Sequence, residues 1–163
     1  MTRTLTLMAL LCAAALPAAA QDITRHRNPG SNFPIAMAVE IPPGRTQVLV
    51  SGMVPAVTNQ EAPRNSVASF GDTRTQTKSV LDRIEASLRS IGLGLGDVVR
   101  MQVFLVGDPE KAGRMDFEGF MAAYTERYGT AQQPNLPARS VMQVAGLVNP
   151  GWLVEIEVTA VRP

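Results

Sequence analysis

Apolar and polar positions alternate along the chain at two different periods, and the order in which those periods appear predicts an α/β fold. Residues 35–41 are mostly apolar and stop at Pro42-Pro43-Gly44, which reads as a strand and its end. Gln47-Val48-Leu49-Val50-Ser51-Gly52 reads as a second strand, close enough to form a hairpin with the first. Residues 54–70, rich in Pro, Asn, Ser and Ala, read as a long, mobile and exposed connection. Asp72 or Thr73 then suits the N-cap of a helix that runs to about Ile91. Within it Val80, Ile84, Leu88 and Ile91 recur at spacings of four, four and three, which makes one apolar stripe. Gly92 and Gly94 end the helix, and residues 97–106 form the most strand-like run in the chain. Asp108-Pro109 opens a second helical region whose Phe117, Phe120, Met121, Tyr124 and Tyr128 line one side. Two further strands, 139–147 and 152–161, are joined by Asn149-Pro150-Gly151 and read as a closing hairpin.

This order predicts one sheet with two helices on one face. The opposite face carries Val, Ile and Met as well as charge, so it is expected to be covered by another copy of the chain. The remaining segment, residues 21–34, is polar and reads as a loop-like N-terminal extension ahead of a domain spanning 35–163.

Composition changes this picture at the N-terminus. Arg3, an apolar run over residues 5–16 and Ala18-Ala19-Ala20 form the three parts of a cleaved export signal over residues 1–20. The run is too short for a membrane span of roughly 20 residues. The chain is therefore expected to be periplasmic or secreted, with no membrane partner. Its one cysteine, Cys12, lies inside the signal, so the processed chain has no disulfide, thiol nucleophile or Cys-based metal site. Without Arg3 the basic residues number fourteen, against fourteen acidic ones. That balance gives no electrostatic reason to expect nucleic acid or an anionic membrane as partner.

Few residues remain to carry chemistry. His26 is the only histidine and sits in a polar segment between Arg25 and Arg27, where it reads as a solvated side chain. Zinc and a Ser-His-Asp arrangement are both unsupported. Gly92-Leu93-Gly94-Leu95-Gly96 follows a helix, whereas a dinucleotide fingerprint follows a strand. The candidates are Arg139, Glu155 and Glu157. An Arg fork grips and orients a small carboxylate, and a Glu can hold a water and exchange protons with a reacting centre. The same pattern also suits an Arg that merely meets solvent and a strand with a polar face. If the closing hairpin pairs Leu147 with Trp152, Glu155 lies opposite Val144 and Arg139 is roughly 16 Å further along. The two would then share a small ligand only across a subunit boundary.

Several short segments, in order and at matching spacing, bear on this choice. They are Val50-Ser51-Gly52, Gln76 with the helix it opens, Gly96-Asp97-Val98-Val99, Pro137-Ala138-Arg139-Ser140, and Val154-Glu155-Ile156-Glu157 closing in Ala160-Val161-Arg162. Through them the chain resembles the RidA/YjgF family of reactive intermediate deaminases over about residues 35–161. The resemblance implies a chorismate-mutase-like mixed sheet with two helices on one face, a homotrimer, and clefts between subunits. It implies hydrolysis of enamines and imines, such as 2-aminoacrylate and its imine, to a 2-oxo acid and ammonia, with no cofactor or metal. It assigns the substrate carboxylate to Arg139 and the attacking water to Glu155, with backbone groups near Gly52 and Val141 completing the cleft.

Three positions depart from the family pattern. The aromatic residue usual in the first strand aligns with Ile35, and Phe33 or Phe70 is the alternative source of a ring. A frequent Cys two positions after the Arg is Val141, and a frequent Asn in the second helix is Met121. The cleft is expected to be drier and more apolar as a result. Other functions compatible with the same cleft are a non-catalytic module that binds small carboxylates, or a chaperone-like protein.

Overall fold

The first helix begins where Asp72 accepts a hydrogen bond from the Thr75 backbone N–H at 2.8 Å. Hydrogen bonds from Thr75 hold the Asp72 carboxyl below the ordinary carboxylate value of 3.8. A computed structural model describes residues 22–163, and in it this helix, α1, spans Thr73–Ser90. Val80, Ile84 and Leu88 are fully buried as the stripe requires, whereas Ile91 has passed into the C-cap and is 41% exposed. The expected signal over residues 1–20, and Cys12 with it, lie outside the described residues.

The numbered strands are β1 (Thr24–His26), β2 (Ala38–Glu40), β3 (Gln47–Met53), β4 (Val98–Val106), β5 (Ala138–Val144) and β6 (Val154–Val161). The second helix, α2, spans Phe117–Tyr124 and is capped by Asp116. The main sheet runs β3-β6-β4-β5, parallel between β4 and β5 and antiparallel elsewhere. Both helices pack on one of its faces. Met101, Val103 and Leu105 of β4 and Val154, Ile156 and Val158 of β6 share a buried cluster there with Ile84, Leu88, Phe120 and Tyr124. The alternate residues, among them Arg100, Gln102, Phe104, Glu155, Glu157 and Thr159, face the other way and are half-buried or exposed. On the same face Leu49 of β3 is 79% exposed.

Three expectations are corrected. Residues 24–26 are strand, not loop, and β2 pairs with β1 instead of forming a hairpin with β3. The side chain of Arg25 reaches the carbonyl oxygens of Gly96 and Val98, at 2.9 and 3.3 Å, and fastens this ribbon to the domain. The final two strands form no hairpin, because β4 lies between them. The physical reason is the crossover: β4, α2 and β5 make a strand–helix–strand unit, which leaves its strands parallel and adjacent. Residues 54–70 are largely exposed, as expected, and the Thr58 and Asn59 N–H groups both bond to the Ser69 carbonyl at 2.9 and 3.1 Å.

One buried side chain ties α1 to the sheet. Gln76 donates from Nε2 to the carbonyls of Gly71 (2.9 Å) and Gly151 (3.0 Å) and accepts the Leu153 N–H at 2.7 Å. Replacing it leaves buried backbone groups without partners, each costing about 1–3 kcal/mol. Gln76→Leu is therefore expected to destabilise the fold by about 3 kcal/mol in urea titration, a far larger loss than exchange of an exposed residue such as Lys78.

Candidate functional site

Arg139 is the second residue of β5, and its register partner on β4 is Met101. Met101 is fully buried, so Arg139 points toward the helices. Its guanidinium carbon lies 4.1 Å from the ring centre of Tyr124, 5.0 Å from Phe120 and 5.6 Å from Phe33. Nη2 contacts Met121 Sδ at 3.2 Å, while Nη1 is buried without a hydrogen-bond partner. Among the described residues Arg139 takes part in no ion pair. Desolvation lowers its pKa from the usual 12.5, an effect opposed by Tyr124, and a guanidinium remains charged regardless. Burial in turn raises the Tyr124 phenol to about 12, and its OH donates to the Pro34 carbonyl at 3.0 Å. The result is a fixed, poorly hydrated cation with spare donors, which is suited to an incoming carboxylate.

Glu155 is the second residue of β6 and pairs in register with Phe104, on the sheet face away from the helices. A bulge in β3 between Val50 and Met53 brings Gly52 beneath it. A Cβ on Gly52 would stand 2.0 Å from Glu155 Oε1, so glycine is what lets the carboxylate lie along this backbone. Glu155 is half-buried, and among the described residues it forms no ion pair. A carboxylate so placed can accept a hydrogen bond from a water and orient it.

The structure thus gathers the expected residues into two groups. Gly52 and Glu155 meet on the outer face. Val141 shares the helix side of β5 with Arg139, and its partner is the buried Val103. Ile35 precedes Ala36, which bridges Ala138, so Ile35 sits beside the start of β5 and lines a cavity of ≈ 590 Å³ together with Arg139. Within one chain the two groups do not meet. Glu155 and Arg139 are two strand spacings apart and three residues offset, about 14 Å between Cα positions, and they point to opposite faces. The expected separation stands, but its cause is the intervening β4, not the turn at 149–151. Glu157 also faces outward, opposite Gln102.

Of the two alternative rings, Phe33 lies over Arg139 and stacks on Phe117 at 6.5 Å, whereas Phe70 lies against Trp152. Phe120 and Tyr124 were legible only as a core stripe. Their second duty, walling the cation, depends on α2 crossing above β5, which periodicity alone does not reveal.

A profile of the family described as Endoribonuclease L-PSP matches residues 32–162. The chain belongs to this family, the one also called RidA/YjgF. Among its relatives is a RutC family protein of Haemophilus influenzae, 31% identical over 143 residues that make up 87% of this chain and 97% of that one. A 2-iminobutanoate/2-iminopropanoate deaminase of Salmonella typhimurium is 28% identical over 142 residues, 87% of this chain and 98% of the relative. The crystal structure of E. coli TdcF with bound serine superposes with a TM-score of 0.54 at 28% identity, covering 88% of this chain and 99% of TdcF. Endoribonuclease L-PSP family members share this arrangement of two helices on a mixed sheet, and a homotrimer is their typical assembly.

The surroundings of Arg139 allow a direct check on why it is there. A cation with a buried unsatisfied donor and no carboxylate partner contributes little net stability, since its contacts with the rings offset its desolvation. Arg139→Met, which matches its length, is expected to change unfolding stability by less than about 1 kcal/mol. A loss above about 3 kcal/mol in chemical denaturation would identify Arg139 as a structural residue.

Proposed function

We propose that the chain is an exported deaminase that hydrolyses reactive 2-imino acids and their enamine tautomers to 2-oxo acids and ammonia, in a cleft between subunits of a homotrimer. The observation that carries this reading is the desolvated Arg139 cation, which has a buried donor without a partner and no carboxylate beside it among the described residues. Relatives named as 2-iminobutanoate/2-iminopropanoate deaminases support the reaction class.

In this reading Arg139 of one subunit holds the substrate carboxylate. Glu155 of the neighbour, lying along the Gly52 backbone, holds the attacking water. An enamine first takes a proton at its terminal carbon and becomes the imine. Water then adds to the imine carbon while Glu155 takes up one of its protons and passes it to nitrogen. The carbinolamine hydroxyl then gives up its proton, again by way of Glu155, to nitrogen; the C–N bond breaks with departure of ammonia as the C=O forms, and the 2-oxo acid remains. All of these steps use protons and water only. Met121 and Phe33 beside Arg139 make that end of the cleft apolar, in keeping with the drier site expected from the departures at Ile35, Met121 and Val141.

The outward face, with Leu49, Phe104 and Met142 among polar neighbours, is the surface that the trimer would cover. The source of the imine outside the cytoplasm would be oxidation of amino acids or amines.

Imines generated by an amino-acid oxidase with catalase, and trapped with semicarbazide, give the test. The protein is expected to accelerate imine loss, and Glu155→Gln to reduce kcat by about 10²–10⁴ while leaving the binding of a 2-oxo acid intact. Activity untouched by Glu155→Gln would remove Glu155 from the reaction. Binding without turnover in the unaltered protein would favour a non-catalytic carboxylate module.

A further inference from the structure

Beyond Gly52 and Glu155, the connection 54–70 and the turn before β6 enclose a second cavity, of ≈ 650 Å³. Its walls include Val57, Arg64, Phe70, Arg83, Asn149 and Trp152, and none of its lining residues is acidic. The cavity is open to solvent on one side, and its frame is held by hydrogen bonds and close packing. Asn149 Nδ2 donates to the Arg64 carbonyl at 3.2 Å, and a Cβ on Gly151 would meet the Ser66 carbonyl oxygen at 2.5 Å. Arg83 Nη1 donates to the Val54 carbonyl at 2.9 Å, which holds its guanidinium at the mouth of the connection. Neither Arg64 nor Arg83 takes part in an ion pair among the described residues.

The apolar wall is formed by Phe70 and Trp152, edge to face at 6.2 Å and 74°. Trp152 Nε1 is buried and has no hydrogen-bond partner. Two cations without carboxylate partners beside two aromatic side chains set edge to face describe a complementary ligand: one with a compact aromatic body and a single negative charge. We propose that this cavity binds a small aryl carboxylate, the ring against Phe70 and Trp152 and the carboxylate at Arg64 and Arg83.

The place of the cavity in the chain gives it reach. Trp152 stands three residues before Glu155, and Val54 two residues after Gly52, so an occupant would press on both strands that bear the candidate water site. The proposal does not depend on the reaction assigned to that site.

Trp152 is the only tryptophan, so its emission reports this cavity directly. Titration with phenylacetate is expected to give a saturable change with Kd below about 1 mM. Arg64→Gln removes a side chain that makes no described hydrogen bond, and it should weaken binding by about tenfold, as should Arg83→Gln. Neutral phenylacetamide should bind far more weakly, and Arg139→Met should leave the phenylacetate titration unchanged. No saturable change up to about 10 mM, an equal response to phenylacetamide, or full affinity in the Arg64→Gln/Arg83→Gln pair would overturn the proposal. Loss of the signal in Arg139→Met would also overturn it, by placing the ligand at the other group of residues.

Discussion

The position of β6 between β3 and β4 is the constraint on which the remaining geometry depends. Its pairing with β3 lays Glu155 over Gly52, its pairing with β4 separates Glu155 from Arg139, and its approach from Gly151 places Trp152 against Phe70. Gln76 fixes the start of the strand by bonding to Gly151 and Leu153 from inside α1. A buried amide that satisfies three backbone groups at once admits one register only, because any slip would strand those groups without water. The helix layer and the two candidate charges are thereby held in one frame.

Within that frame the two charges face opposite ways, and this is a consequence of strand periodicity. Arg139 shares its side with Met101 and Val103, and Glu155 shares its side with Phe104. No rotamer change brings them around a sheet. The chain alone therefore presents two separate groups: a cation enclosed by Phe33, Phe120, Tyr124 and Met121, and a carboxylate lying along glycine. A family whose typical assembly is a homotrimer supplies a natural way to join such groups.

Much of this is legible in the sequence. The stripe Val80, Ile84, Leu88 and the cap at Asp72 marked α1 to within a residue, and β4 stood out as a long apolar run. What failed was adjacency. Nine residues separate Val144 from Val154, too many for a tight hairpin, and the strand–helix–strand order around α2 already implied parallel neighbours. β1 was missed because three residues are too few to show a period. At the candidate site, motif spacing placed Arg139, Gly52 and Glu155, but the aromatic wall around Arg139 arises from tertiary crossing. The cavity beside Trp152 is likewise built from segments far apart in sequence.

The central claim, that one functional site draws Arg139 from one subunit and Glu155 from another, is tested most directly by complementation. Arg139→Ala and Glu155→Gln proteins, each inactive alone in imine hydrolysis, are unfolded together in equal amounts, refolded and assayed. Shared sites predict recovery to about a quarter of unaltered activity, since random assembly pairs an intact Arg139 with an intact neighbouring Glu155 at one site in four. Mixed oligomers that form but remain as inactive as their parents would contradict the account.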